Sequence, residues 1–201
     1  MKTIIFTQRV EVIESYNERR DCADQRIANF IWDCGFLPLA VPNIPQITEK
    51  IVSEIIPSGI ILVGGNSLVK YGGNSPERDE TDRMLINIAI KKNIPVYGFC
   101  RGMQSILDYF GNRLVKVPNH VGVRHVITGK DNASEVNSYH NEACVELDND
   151  ELIIIMKSQD GVIEKVQHKS LPIIGVMWHP EREKNFRIED IETVRRLMNH
   201  E

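Results

Sequence analysis

The chain has 201 residues, 42% of them hydrophobic and 26% charged, a balance that excludes a disordered or fibrous protein. Its formal net charge of −4 argues against non-specific nucleic-acid binding, which draws on a basic face. No apolar run approaches the roughly 20 residues of a membrane span, and Met1–Arg9 holds too short an apolar core for a secretory signal. The expectation is one cytoplasmic domain over residues 1–201, with no nucleic-acid or membrane partner.

Ile4-Ile5-Phe6 predicts a first strand. Residues from Asp24 to Cys34, with Ile27, Phe30 and Ile31 in helical spacing, predict a helix stopped by Gly35. Phe36–Val41 predicts a second strand, and Ile47, Ile51 and Ile55 predict a helix that buries them as one stripe. After Pro57-Ser58-Gly59, the apolar run Ile60–Val63 has the character of a strand covered on both faces. A Gly- and Asn-rich loop follows to about Arg78, then a helix marked by Met84, Leu85, Ile88 and Ala89, then the strand Pro95–Phe99. Such alternation implies βαβ units and parallel pairing. From Val121 to Val166 the pattern changes to strand-like runs, predicting antiparallel hairpins, before the buried strand Ile173–Met177 and a closing helix, Ile188–Met198. The predicted fold is α/β and three-layered: a mostly parallel central sheet, helices on both faces, and an antiparallel β extension.

Gly98-Phe99-Cys100-Arg101-Gly102-Met103-Gln104 leaves a buried strand and opens a helix that Gly111 ends. This is the context of a nucleophile elbow, a tight strand–turn–helix that presents one reactive side chain. Cys100 would sit at the positive end of the helix dipole, which favours a thiolate, and the Arg101 N–H would face the space beside the sulfur as an oxyanion donor. Gly98 and Gly102 are expected to let backbone and substrate approach closely. A thiol nucleophile needs a base, and the base an orienting partner. Of the six histidines, His120, His125, His140, His168, His179 and His200, only His179 follows a predicted buried strand directly, in Val176-Met177-Trp178-His179-Pro180-Glu181. Pro180 biases His179 toward an extended conformation, which places His179 and Glu181 on one side of the chain. Both candidate catalytic segments fall at C-terminal strand ends, where open α/β sheets bind ligands.

The other singled-out residues read as structural. Cys22, Cys34 and Cys144 are expected as buried or half-buried thiols, and Trp32 and Trp178 as packing residues. His120 and His125 lack a third ligand at suitable spacing, so no metal site is read from the sequence.

The elbow Gly98–Gln104 with the downstream Trp178-His179-Pro180-Glu181 resembles the class I glutamine amidotransferases, and the resemblance covers nearly the whole chain. It implies that Cys100 attacks a γ-carboxamide, that His179 is the acid–base group, and that Glu181 orients it. It further implies that Gly64-Gly65 is the family's glycine loop, with the Gly65 N–H as second oxyanion donor and Gly64 and Asn66 beside the substrate. Gln104 would contact the glutamyl group, and Ser138, Tyr139 and His140 of Asn137-Ser138-Tyr139-His140 would help grip its amino and carboxylate ends. No metal or organic cofactor is implied.

Arg78-Asp79-Glu80-Thr81-Asp82, the Cys-Arg-Gly-Met-Gln elbow and Val136-Asn137-Ser138 resemble the stand-alone γ-glutamyl hydrolases of this class, and the chain as a whole resembles those acting on γ-glutamyl-CDP-amidate. That resemblance implies a small γ-glutamyl conjugate of a cytidine nucleotide as substrate, giving glutamate and cytidine diphosphoramidate for a capsule phosphoramidate. Glu142, Met177 and Asn66-Ser67 depart from the hydrolase pattern in the region of the leaving group. Cationic candidates for a polyphosphate are Arg9, Arg19, Arg20, Arg78, Arg124 and His125, with Arg78 preferred because it ends the loop after Gly65. The competing readings are a glutaminase subunit delivering ammonia to a separate synthase, and a non-catalytic binding protein on the same scaffold.

Overall fold

The computed structural model describes residues 1–199, so His200 lies outside the described residues. The chain forms strands β1 (Thr3–Phe6), β2 (Arg9–Ile13), β3 (Glu18–Cys22), β4 (Leu37–Ala40), β5 (Gly59–Leu62), β6 (Val96–Phe99), β7 (Val115–Lys116), β8 (Val121–Thr128), β9 (Ala133–Tyr139), β10 (Glu142–Ala143), β11 (Leu152–Ser158), β12 (Ile163–His168) and β13 (Ile173–Val176). The helices are α1 (Gln25–Asp33), α2 (Pro45–Ile55), α3 (Pro76–Lys92), α4 (Arg101–Tyr109) and α5 (Ile188–Asn199). Nine strands make one sheet in the order β4-β1-β5-β6-β13-β12-β11-β8-β9. Pairing is parallel from β4 to β13 and antiparallel beyond it. The predicted hairpins therefore continue the central sheet through β13.

Alternation along the parallel strands explains the layers. Ile5, Ile60, Leu62 and Val96 face one side, where they meet Val52 of α2, Leu85 and Ile86 of α3, and Met103, Ile106 and Leu107 of α4. Ile4, Phe6, Ile61, Tyr97 and Phe99 face the other and meet Ile27, Phe30 and Ile31 of α1 with Ile191, Val194 and Met198 of α5. Among the described residues no helix is long and apolar enough to cross a membrane.

Two local expectations are corrected, and one hairpin goes unread. Helix α2 forms where predicted but buries Thr48 and Val52, leaving Ile47 49% and Ile55 42% exposed. The isoleucine spacing identifies the helix and mistakes its face, because the side turned to the sheet carries a threonine whose hydroxyl donates to Pro42 O at 2.6 Å. Trp32, expected to pack, is 55% exposed, whereas Trp178 is buried with its indole N–H on Asp190 at 3.1 Å. The hairpin β2–β3 escapes a reading by apolar pattern because β3 is charged at every position but Cys22 and β2 fully buries only Val10.

The glycines of the elbow serve helix–sheet contact. A Cβ on Gly102 would overlap the Leu62 carbonyl, and one on Gly98 would come within 2.7 Å of the Gly102 backbone. Of the expected close approach of backbone and substrate, the backbone part is seen, as close packing of α4 on β5 and β6.

The assignment of the α2 faces can be checked by urea unfolding. Val52→Ala is expected to cost about 1–3 kcal/mol and Ile47→Ser to stay within about 0.5 kcal/mol, with the m-value unchanged in both; equal costs would restore the isoleucine face.

Candidate active site

Three adjacent parallel strands deliver the site. Cys100 follows β6, Gly64 follows β5 by one residue, and His179 follows β13. Cys100 N–H donates to Val176 O at 2.8 Å, which fixes the sulfur-bearing residue against the strand that leads to His179. Cys100 has φ 52° and ψ −111°, a positive-φ conformation that costs a non-glycine residue on the order of 1–3 kcal/mol. Helix α4 starts at the next residue, so the Arg101 N–H is among the first-turn donors without a partner inside the helix.

His179 and Glu181 come together at the end of their strand: Nδ1 lies 2.7 Å from Glu181 Oε1, and both side chains are buried. The contact is charge-assisted when the ring is protonated. Burial is the largest influence on the ring and lowers its proton affinity, but the neighbouring Cys100 sulfur and the Glu181 carboxylate outweigh it together and raise the His179 pKa to about 9. Asn137 clamps the backbone here, its Oδ1 accepting from His179 N and its Nδ2 donating to His179 O, each at 2.9 Å. Gly64 lies under the imidazole, and a Cβ there would come 2.6 Å from His179 Cε1. These residues open on a polar cavity of about 260 Å³ lined by Gly65, Asn66, Ser67, Cys100, Arg101, Gln104, Tyr139, His140, Asn141, Glu142, His179 and Arg182.

Several predicted residues take other duties. Arg78 is completely buried behind the glycine loop, donating to Val63 O at 2.6 Å, Gly64 O at 2.9 Å, Gly65 O, and Asn66 Oδ1 at 3.0 Å. Burial above all, with the charge of Arg101 beside it, lowers its pKa to about 9, so it remains a cation at neutral pH. With these donors committed to loop acceptors, Arg78 faces away from any phosphate in the cavity. Ser138 is also fully buried, and its hydroxyl donates to His120 O at 2.7 Å, away from the cavity. Asn66 lines the cavity by its backbone turn at φ 55°, while its side chain pairs with both the N–H and C=O of Val10 on β2. Gln104 Nε2 donates to Glu142 O at 2.8 Å, so the departure at position 142 leaves that backbone contact untouched.

The arginines also sort out. Arg19 is held by Glu77 and Asn74, Arg20 by Glu18, and Arg124 by Glu135 and Glu183. Arg182, absent from the sequence candidates, lines the cavity and stacks its guanidinium 4.5 Å from the Tyr139 ring centre. Its position one residue after Glu181 is the available signal. The Arg101 side chain points away, paired with Asp79 and Asp82 and donating to Ser105 Oγ at 3.1 Å.

Arg78→Met would orphan the carbonyls of residues 63 to 65. At about 1–3 kcal/mol for each unpaired buried acceptor, the variant is expected to lose about 3 kcal/mol or more in denaturant unfolding; wild-type stability would contradict the bracing role.

The family model for glutamine amidotransferase class-I matches residues 21–190. A gamma-glutamyl-CDP-amidate hydrolase of Campylobacter jejuni is 35% identical over 183 residues, covering 89% of each chain. A gamma-glutamyl-gamma-aminobutyrate hydrolase of Escherichia coli O157:H7 is 26% identical over 90% of this chain and 88% of its own. The crystal structure of a GMP synthase component from Thermoplasma acidophilum superposes with a TM-score of 0.73 at 18% identity, covering 99% of this chain and 94% of that one, which supports the fold alone. By sequence and architecture together, the chain belongs to the class I glutamine amidotransferase family.

Proposed function

We propose that this protein is a stand-alone cysteine hydrolase of a γ-glutamyl conjugate, with Cys100, His179 and Glu181 as its catalytic residues. The observation that carries the reading is the strained Cys100 turn facing a buried His179 whose Nδ1 is held 2.7 Å from Glu181. The nucleophile is the thiolate, with the imidazolium as its counter-ion. Cys100 Sγ attacks the γ-carbonyl, and the N–H groups of Gly65 and Arg101 stabilise the oxyanion, each donor contributing about 10²–10³ in rate. His179 gives its proton to the leaving nitrogen as the C–N bond breaks, leaving a γ-glutamyl thioester. His179 then takes a proton from water, the hydroxide displaces the sulfur, glutamate leaves, and the resting pair is restored.

Gln104, Tyr139 and His140 line the glutamyl side of the cavity in this reading. For the leaving group, the Campylobacter relative supports a cytidine diphosphoramidate and hence a role in making a capsule phosphoramidate. The cation that suits a diphosphate is Arg182, which borders both the main cavity and the hollow on the other side of His179, where Arg9 also lies. Arg182 thereby takes the place expected for Arg78.

Glutamate release from glutamine, γ-glutamyl-γ-aminobutyrate and a γ-glutamyl cytidine diphosphoramidate tests the reading. Strong turnover of the nucleotide conjugate is expected, abolished in Cys100→Ala, with Arg182→Ala raising KM for that substrate alone. Weak turnover of all three, stimulated by a separate synthase, would replace the hydrolase with an ammonia-delivering component.

The pH profile tests the acid–base assignment. His179 must carry its proton for amine departure, so kcat/KM should hold through neutral pH and fall as pH rises through about 9. Glu181→Gln removes one of the groups that raise this pKa and should move the alkaline limb to lower pH; an unmoved limb would assign the titration elsewhere.

A further inference from the structure

Behind the wall of the Cys100 cavity, three histidines converge on one carboxylate. His120 precedes β8, His125 lies on it, His140 follows β9, and Glu164 lies on β12. Glu164 is completely buried, and its Oε1 stands 3.5 Å from His120 Nδ1, 3.3 Å from His125 Nε2 and 3.5 Å from His140 Nε2. His120 and His140 are 2% and 3% exposed. None of these approaches makes a hydrogen bond: His125 Nε2, both ring nitrogens of His140 and both oxygens of Glu164 are buried without a partner. Leaving such groups buried and unsatisfied is costly, so the cluster calls for something that all of these atoms can bind at once.

We propose that His120, His140 and Glu164, with His125 as a fourth donor, bind one divalent transition-metal ion of the zinc class. The ligand atoms of His120, His140 and Glu164 lie within 4.8 Å of one another. Bonds of about 2.0–2.1 Å at tetrahedral angles set neighbouring ligand atoms about 3.3–3.4 Å apart, close to the spacing around Glu164 Oε1. His120 also has the outer partner that histidine ligands usually have. Its Nε2 lies 2.9 Å from Asp160 Oδ2, a contact that places the ring proton there and leaves the Nδ1 lone pair toward Glu164. Ser138 Oγ lies 3.5 Å from that Nδ1 but donates to His120 O, so it does not compete for the lone pair. Sequence spacing offers His120 and His125 no third ligand nearby. The fold supplies it from β12, about forty positions away.

The ion would tie β8, β9 and β12 together. Through His140, which lines the Cys100 cavity, it would fix the wall of the pocket without touching the reacting atoms. Glu164 O also accepts from Met177 N at 2.8 Å, two residues before His179, so the same strand that carries the ligand steadies the catalytic segment.

Zinc chloride titrated calorimetrically into Cys100→Ala protein, freed of metal by chelator dialysis, tests the site; the substitution prevents zinc capture by the active-site thiol. One ion per chain is expected, with Glu164→Gln and His120→Ala each weakening binding by about 100-fold or more. Zinc should raise the Tm of the parent and leave that of either variant unmoved. No uptake, or uptake unchanged by Glu164→Gln, would overturn the proposal. Should the variants fail to fold, histidine side-chain NMR of the parent decides: zinc should shift the ring nitrogens of His120 and His140, and shifts confined to His168 or His179 would refute the site.

Discussion

The structure depends on holding Cys100 in a backbone conformation that a cysteine does not prefer. With φ at 52°, the residue stores strain that the surroundings must outweigh several times over. They do so from each side of the turn. Cys100 N is bound to Val176 O before it, and Gln104 N to Cys100 O after it. The absence of a Cβ at positions 98 and 102 lets α4 press against β5 and β6. The Arg101 side chain, next to the strained residue, is anchored on Asp79 and Asp82 of α3. The Cys100 sulfur is thereby fixed at the mouth of the sheet, beside the first N–H groups of α4.

Helix α3 braces the opposite side of the cavity as well. Arg78 and Asp79 are consecutive, yet one reaches the carbonyls of the loop after β5 and the other reaches Arg101 after β6. Turning the carbonyls of residues 63 to 65 toward a buried cation favours outward placement of the loop N–H groups, the orientation an oxyanion needs. The hairpin β2–β3 closes the loop from outside through Asn66, whose side-chain amide mimics a paired strand against Val10. The acidic and basic segment at the start of α3 is thus a two-sided bracket between elbow and loop, worth more as geometry than as charge.

The same contrast decides what is legible in the sequence. The parallel strands are evident because burial on both faces demands continuous apolar runs, and Ile60–Val63 admits little else. Cys100, His179 and Glu181 stand out as candidates because strand-end position, the flanking glycines and Pro180 are contiguous signals. Arg78 and Ser138 are misplaced by sequence because a polar residue near a site looks the same whether it faces the cavity or braces it from behind. The face of α2 is misread for a related reason: Thr48 satisfies its hydroxyl locally and can enter the core, while Ile47 and Ile55 can remain in water at modest cost. The histidine cluster is hidden because Glu164 reaches it only through the pairing of β12 with β11 and of β11 with β8.

A division of labour follows from where each kind of residue lies. The parts that would carry out amide cleavage lie at the ends of the parallel strands β5, β6 and β13, whose register is fixed on both sides by neighbours. The parts that would distinguish one leaving group from another lie at the periphery: Arg182 in the turn after His179 and Arg9 on the hairpin. Peripheral residues can change without disturbing strand pairing or the Cys100 turn. A family built this way can keep its reaction and vary its conjugate. The 35% and 26% identities to hydrolases named for different γ-glutamyl substrates fit that construction. In this chain the rim is anchored to the rigid frame at two points, through the Asn137 clamp on the His179 backbone and through the His140 N–H, which donates to His120 O at 3.0 Å. The position of His140 against the Cys100 cavity is therefore set by residues that lie behind the cavity wall.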